Sequence, residues 1–211
     1  MSSTPSSAGC TTLRLRRSEP HHAPHRHLSN HRSSAELEAD FAAAVRVASR
    51  GGSQATALTA LLHIGDERVV VLSGHGDKPE TVHRLELGAT RIAREYFRHD
   101  PPTSREIERA IDFAEDEIMR MGRPLEITAV VWNTGPASRA LSTVSGPTMT
   151  IEMVEQWFQR LASASHGQSG ALQGLPPGRE AAATLMVLRE FMLHQGHSSI
   201  VAVELADAVA G

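Results

Sequence analysis

Four short groups of residues carry donors that could do chemistry. His21-His22-Ala23-Pro24-His25-Arg26-His27 offers four imidazoles, the donor type that suits a soft divalent metal. Such a site needs ligands held by outer contacts, and the surrounding Ser- and Arg-rich stretch supplies none, so no metal site is assigned there. Glu115-Asp116-Glu117 gathers three carboxylates. Consecutive helical residues fan out around the axis, so a solvated face is expected. Asp112, Glu115 and Asp116 would form an acid/base group only if they lined a cleft. Gly74-His75-Gly76-Asp77 loosely resembles a phosphate loop, but it joins two strand candidates and reads as a hairpin turn. Asn133-Thr134-Gly135-Pro136-Ala137 follows an apolar strand and opens a helix, which is where backbone amides bind an anion.

The elements that must position these groups follow from periodicity. A helix is predicted over Ser34–Ser49, with Phe41, Ala44, Val45 and Ala48 on one stripe. Three strands follow, at Ala57–Ile64, Arg68–Leu72 and Thr81–Leu87, with turns at Gly65-Asp66 and at residues 73–77. Ala89–Phe97 is a short helix. Thr103-Ser104-Arg105-Glu106 has capping-box spacing and opens a helix whose stripe is Ile107, Ala110, Ile111, Ala114, Ile118 and Met121. Glu126–Trp132 reads as a buried parallel strand. Helices over Pro136–Val144 and Thr150–Ala164 come next. A loop spans Ser165–Gly174, then a helix apolar on most faces covers Pro177–Gln195, and Ser199–Val203 is the last strand. The predicted fold is α/β, with a mixed five-stranded sheet flanked by helices in a ribonuclease-H-like order.

Composition removes several classes of function. The chain of 211 residues has a net charge of −3 and 4% aromatics, which argues against nucleic-acid binding by charge or by stacking. No apolar run reaches the roughly 18–20 residues of a membrane span. A single cysteine, Cys10, excludes a disulfide scaffold and fits a reducing, cytoplasmic setting. Residues 1–33 carry five arginines and five histidines against one acid, Glu19, and no apolar period, so a disordered tail is expected before a domain over 34–211. Arg- and Ser-rich leaders of this kind also occur as transit peptides. A dispensable extension is the plainer reading.

Two segments carry a family resemblance. Arg84-Leu85-Glu86-Leu87-Gly88-Ala89-Thr90-Arg91-Ile92, followed by Glu95-Tyr96-Phe97 and Asp100-Pro101-Pro102-Thr103, is similar to the "slplGavrltErf…dPPt" stretch of the exopolyphosphatase / guanosine pentaphosphate phosphohydrolase (Ppx/GppA phosphatase) family. That family belongs to the actin-like ATPase superfamily. Gly174-Leu175-Pro176-Pro177-Gly178-Arg179-Glu180-Ala181 resembles the family's "l-x-p-x-R-a-d" helix start. The resemblance runs from about Ser34 to Gly211 and covers the second actin-like half, with the first half absent.

The resemblance implies a Mg²⁺-dependent phosphoanhydride hydrolase as ancestor, and it implies the site residues. Ser34-Ala35-Glu36-Leu37-Glu38-Ala39 resembles "S-G-x-E-E-A", making Glu38 the candidate general base, with Leu37 where the family has a second glutamate. The family's "D-I-G-G-G-S-T-E" aligns with His63-Ile64-Gly65-Asp66-Glu67-Arg68-Val69-Val70, keeping Gly65 as a phosphate contact and replacing the metal-associated Asp by His63. Asp66 and Glu67 would repel phosphate, by about 1 kcal/mol per like-charge contact at 4 Å in water. The family's "G-T-S-G-T" aligns with residues 133–137, leaving Thr134 and Gly135 as contacts, while Pro136 has no amide hydrogen to give. At the family's terminal "G-L-R-E-G" only Gly211 is kept. The expectation is a catalytically impaired domain that acts by binding or association, with polyphosphate or guanosine pentaphosphate as ligand and a homodimer as one assembly. The alternative is an active exopolyphosphatase-type enzyme using Mg²⁺ and completed by a separate actin-like chain. A truncated product exposing its former interface is the third reading.

Overall fold

A computed structural model describes residues 33–50, 58–122, 129–133 and 136–203. The histidine tract and the rest of the tail lie outside the described residues. Ser33 opens the first helix with a capping box: its amide and hydroxyl donate to Glu36 Oε2, both at 2.7 Å, and the Glu36 amide donates back to the Ser33 hydroxyl. Helix α1 then covers Ser34–Arg50.

Strands β1 (Thr59–Ile64), β2 (Val69–Gly74) and β3 (Thr81–Leu85) form an antiparallel meander. Helices α2 (Ala89–Glu95) and α3 (Ser104–Met119) follow, then strand β4 (Ala129–Asn133) and helix α4 (Pro136–Ser145). Strand β5 (Thr148–Thr150), helices α5 (Ile151–Ser165) and α6 (Arg179–Gln195), and strand β6 (Ser199–Val203) complete the order. The sheet runs β3-β2-β1-β4-β6-β5, with β1, β4 and β6 mutually parallel.

The sheet therefore has six strands, not the five predicted. The extra one, β5, is the tripeptide Thr-Met-Thr laid antiparallel on β6 at the sheet edge. Three residues are too short to show a period of two, and Thr150 doubles as the N-cap of α5, accepting from the Met153 amide at 3.3 Å, so sequence assigned it to the helix. The loop predicted over 165–174 contains a 3₁₀ turn at Ser169–Leu172. Helix α6 starts two residues later than predicted because Gly178 holds φ 98°, outside helical space.

Every residue of β1 and β2 is buried because both faces of the sheet are covered. One face presents Leu62, Ile64, Val69, Val71, Leu85 and Leu87 to the main core. Helix α6 fills the centre of that layer and packs on α2, α3, α4 and α5, which is why it is apolar nearly all round. The other face presents Leu61, Val70 and Leu72 to Leu37, Phe41 and Ala44 of α1. These residues recur at i, i+4 and i+7, one stripe of one helix. Among the described residues no helix is long and apolar enough to cross a membrane.

The carboxylate run on α3 is not the uniformly solvated face expected from sequence. Asp112 and Asp116 are exposed, but Glu117 is buried at 4%. It accepts the Glu86 amide at 2.9 Å and pairs with Arg120, so it is a structural tie between α3 and the end of β3.

Candidate functional site

Three parallel strands end at the same edge of the sheet. His63 of β1 is in register with Asn133 of β4, which is in register with Val203 of β6. In open α/β sheets the crevice outside the carboxyl ends of the parallel strands is where ligands sit. The segment that leaves β1 here is Gly65-Asp66-Glu67-Arg68. The segment that leaves β4 contains Thr134 and Gly135, which lie outside the described residues, and α4 starts immediately afterwards.

The β1–β2 turn is tight. The Gly65 amide donates to the Arg68 carbonyl at 2.9 Å. Its own carbonyls are turned towards the start of α2: Ala89 donates to Gly65 O at 2.9 Å and Arg91 to Asp66 O at 3.0 Å. Two of the free amides at the α2 N-terminus are thereby satisfied by backbone. Gly88 makes this approach possible, because a Cβ there would stand 2.1 Å from the Glu67 carbonyl carbon and 2.2 Å from Asp66 O.

Side chains close the turn further. Arg94 donates to both carboxylate oxygens of Glu67, at 2.7 and 3.1 Å, and to Glu95 at 3.3 Å. Arg68 pairs with Glu86 at 3.0 Å, and Arg91 pairs with Glu86 and Glu95. The hydrogen bond from Arg94 holds the Glu67 carboxyl below its ordinary range. Three arginines and three glutamates alternate here, so the positive charge is matched locally and is not left to attract an anion.

Gly65 is buried in the turn. Glu38 is on the exposed side of α1, off the Leu37–Phe41–Ala44 stripe. The buried acid of that helix is Asp40, at 6% exposure, on the stripe and one turn before Ala44. Sequence reasoning passed over it, although the spacing from Leu37 to Asp40 and Ala44 was a usable signal. His63 is buried at 3% and alternates with Leu61, so it belongs to the sheet face that α1 covers. Gly74-His75-Gly76-Asp77 is a hairpin connection between β2 and β3, as expected, with the His75 ring 3.1 Å from Glu80.

The sequence profile of the Ppx/GppA phosphatase family matches residues 69–200. The chain belongs to the Ppx/GppA phosphatase family. No curated protein matches its sequence. Among solved structures, the Ppx/GppA phosphatase of Aquifex aeolicus superposes with a TM-score of 0.63 at 18% identity, covering 80% of this chain and 59% of that one. An exopolyphosphatase-like protein gives 0.60 at 16% identity, over 80% of this chain and 62% of its own. An exopolyphosphatase from Cytophaga hutchinsonii gives 0.53 at 13% identity, over 78% and 60%. These likenesses carry the actin-like fold. The chain spans about three-fifths of the length of these Ppx/GppA structures.

The family is generally metal-dependent, and Mg²⁺ is the ion the resemblance implies. Mg²⁺ takes oxygen ligands in strict octahedral geometry. The turn offers the Asp66 carboxylate, Glu67, whose two oxygens are held by Arg94, and His63, whose imidazole suits softer ions, so one carboxylate stands outside the Arg94 pair. These residues do not fit Mg²⁺ at the turn.

Proposed function

We propose that this Ppx/GppA domain is catalytically impaired and acts by binding or association. One observation carries the reading: the turn that follows β1 is closed. Phosphate recognition by such a loop needs free backbone amides and hydroxyls pointing at the anion. Here Gly65 and Asp66 turn carbonyls towards α2, the Gly65 amide is bonded within the turn, and Asp66 and Glu67 bring negative charge. Glu38, the one family glutamate retained, supports the same reading from the exposed side of α1.

The test is phosphate release from long-chain polyphosphate and from guanosine pentaphosphate with Mg²⁺, using the full chain and its Glu38→Gln variant. No release from either, with native circular dichroism, is the expected result. Release by the parent chain that disappears in the variant would establish Glu38 as a working base and end this reading.

A second reading is a phosphohydrolase completed by a separate actin-like chain, with Glu38, Gly65, Thr134 and Gly135 as remaining contacts. It is favoured by the convergence of the β1 and β4 carboxyl ends at one sheet edge. Copurification of a second actin-like chain that restores phosphate release would select it.

A further inference from the structure

Away from the sheet edge, α3 and α6 lie side by side. Glu190 and His194 are four residues apart on α6, so both side chains leave the same face of that helix. Glu115 reaches them from α3. His194 Nε2 is 3.5 Å from Glu115 Oε1 and 3.5 Å from Glu190 Oε2, and the three donor atoms lie within 4.8 Å of one another.

Those distances are long for direct hydrogen bonds, which run about 2.7–3.2 Å for N–H···O. The two distances to His194 match a different geometry. Two donors, each about 2.0–2.2 Å from one tetrahedral ion, are about 3.3–3.6 Å apart.

The surroundings prepare the deepest ligand. The Glu190 side chain is 2% exposed. Arg189 donates to its Oε1 at 2.5 Å, and is itself fixed by Glu155 at 2.8 Å and by the face of Phe158 at 4.4 Å. One oxygen is thus held from behind while the other faces His194, which is how outer contacts orient a ligand. Burial raises the Glu190 carboxyl above its ordinary range, more than Arg189 lowers it. Three carboxyls, Glu115, Glu155 and Glu190, stand around the imidazole and Arg189. His194 and Glu115 are 29% and 46% exposed, so an ion can enter from solvent and keep water as its remaining ligand.

We propose that Glu115, Glu190 and His194 bind one divalent transition-metal ion of the zinc class, clamping α3 to α6. The imidazole donor selects Zn²⁺ or Co²⁺ over Mg²⁺ and Ca²⁺. Metal ligands bind in their deprotonated forms, so metal binding is expected to weaken as pH falls.

The test uses the full chain with His21, His22, His25, His27 and His31 changed to Ser, which removes the tail as a competing ligand. Calorimetric titration with Zn²⁺ is expected to show one equivalent bound, with an apparent melting temperature that rises with Zn²⁺. Co²⁺ is expected to give the visible absorption of a tetrahedral site. His194→Ala and Glu115→Ala, both at partly exposed positions, are each expected to weaken Zn²⁺ binding by about tenfold or more. Glu190→Gln keeps the side-chain shape and is expected to do the same. Failure of the parent to bind Zn²⁺, or unchanged affinity in His194→Ala, would overturn the site and leave the three groups as an ion-pair cluster.

Discussion

At residue scale, Gly88 is the position with least tolerance. A Cβ there would press on the Glu67, Asp66 and Arg68 backbone at 2.1–2.4 Å, and backbone cannot swing aside as a side-chain tip can. Gly88→Ala is expected to cost about 2–3 kcal/mol in urea unfolding, the range of overpacking. Arg94→Ala removes the ion pair to Glu67, but both side chains are about half exposed, so the urea midpoint is expected to move little. Glu106 gives a pH prediction. Burial would raise its carboxyl, but hydrogen bonds from the Thr103 amide, His99, the Arg98 amide and the Thr103 hydroxyl outweigh that and hold it at about 2. Unfolded, it titrates near 4.5, so the unfolded chain binds more protons between those values. The contribution is present above pH 4.5 and is lost as pH falls towards 2. Glu106→Gln is expected to flatten stability across that window, measured by denaturation at fixed pH steps. The capping box was legible because it is a four-residue spacing. The crowding at Gly88 was not, because the backbone that meets it comes from residues 66–68, across a turn whose path no local pattern fixes.

At the scale of elements, the contrast is between α1 and α6. Helix α6 is buried on nearly every side by four other helices, while α1 is attached by one stripe to one face of the sheet. Phe41 is fully buried in that smaller cluster. Phe41→Ala is expected to speed hydrogen exchange at the α1 amides while leaving the amides of α6 protected, because α1 can open without breaking the main core. Phe191→Ala, inside the main core, is expected to destabilise the whole domain by about 3–5 kcal/mol in chemical denaturation. Long periodic elements such as α3 and α6, and the meander with its turns, could be read from the chain. The strand β5 and the buried acid Glu117 could not be read in the same way. Each depends on a partner distant in sequence: β6 for the strand, the Glu86 amide for Glu117. The turn after β1 was legible as Gly65-Asp66 between two apolar runs. Its closure against α2 is a matter of carbonyl direction, which residue types do not encode.

At the scale of the whole molecule, the actin-like order joins two kinds of neighbour. β1, β2 and β3 pair through short turns, so their contacts are local. The middle of the sheet is different: Thr59 pairs with Ala129, and Val131 with Val201. Joining those strands means closing loops of many tens of residues before the contacts repay the lost entropy. The meander, together with α2, is therefore expected to acquire protection early in refolding, and β4 and β6 late, with an overall time in the millisecond-to-second range. Pulsed hydrogen exchange during refolding would show it, and simultaneous protection of all six strands would contradict it. The same order has a consequence for the closed turn at Gly65. It belongs to the part expected to form early, while the ends of β4 and β6 at the same edge are expected last. Whatever binds that edge meets a half-built rim throughout folding, and a ligand that needs all three strand ends can capture only molecules that have finished the slowest step.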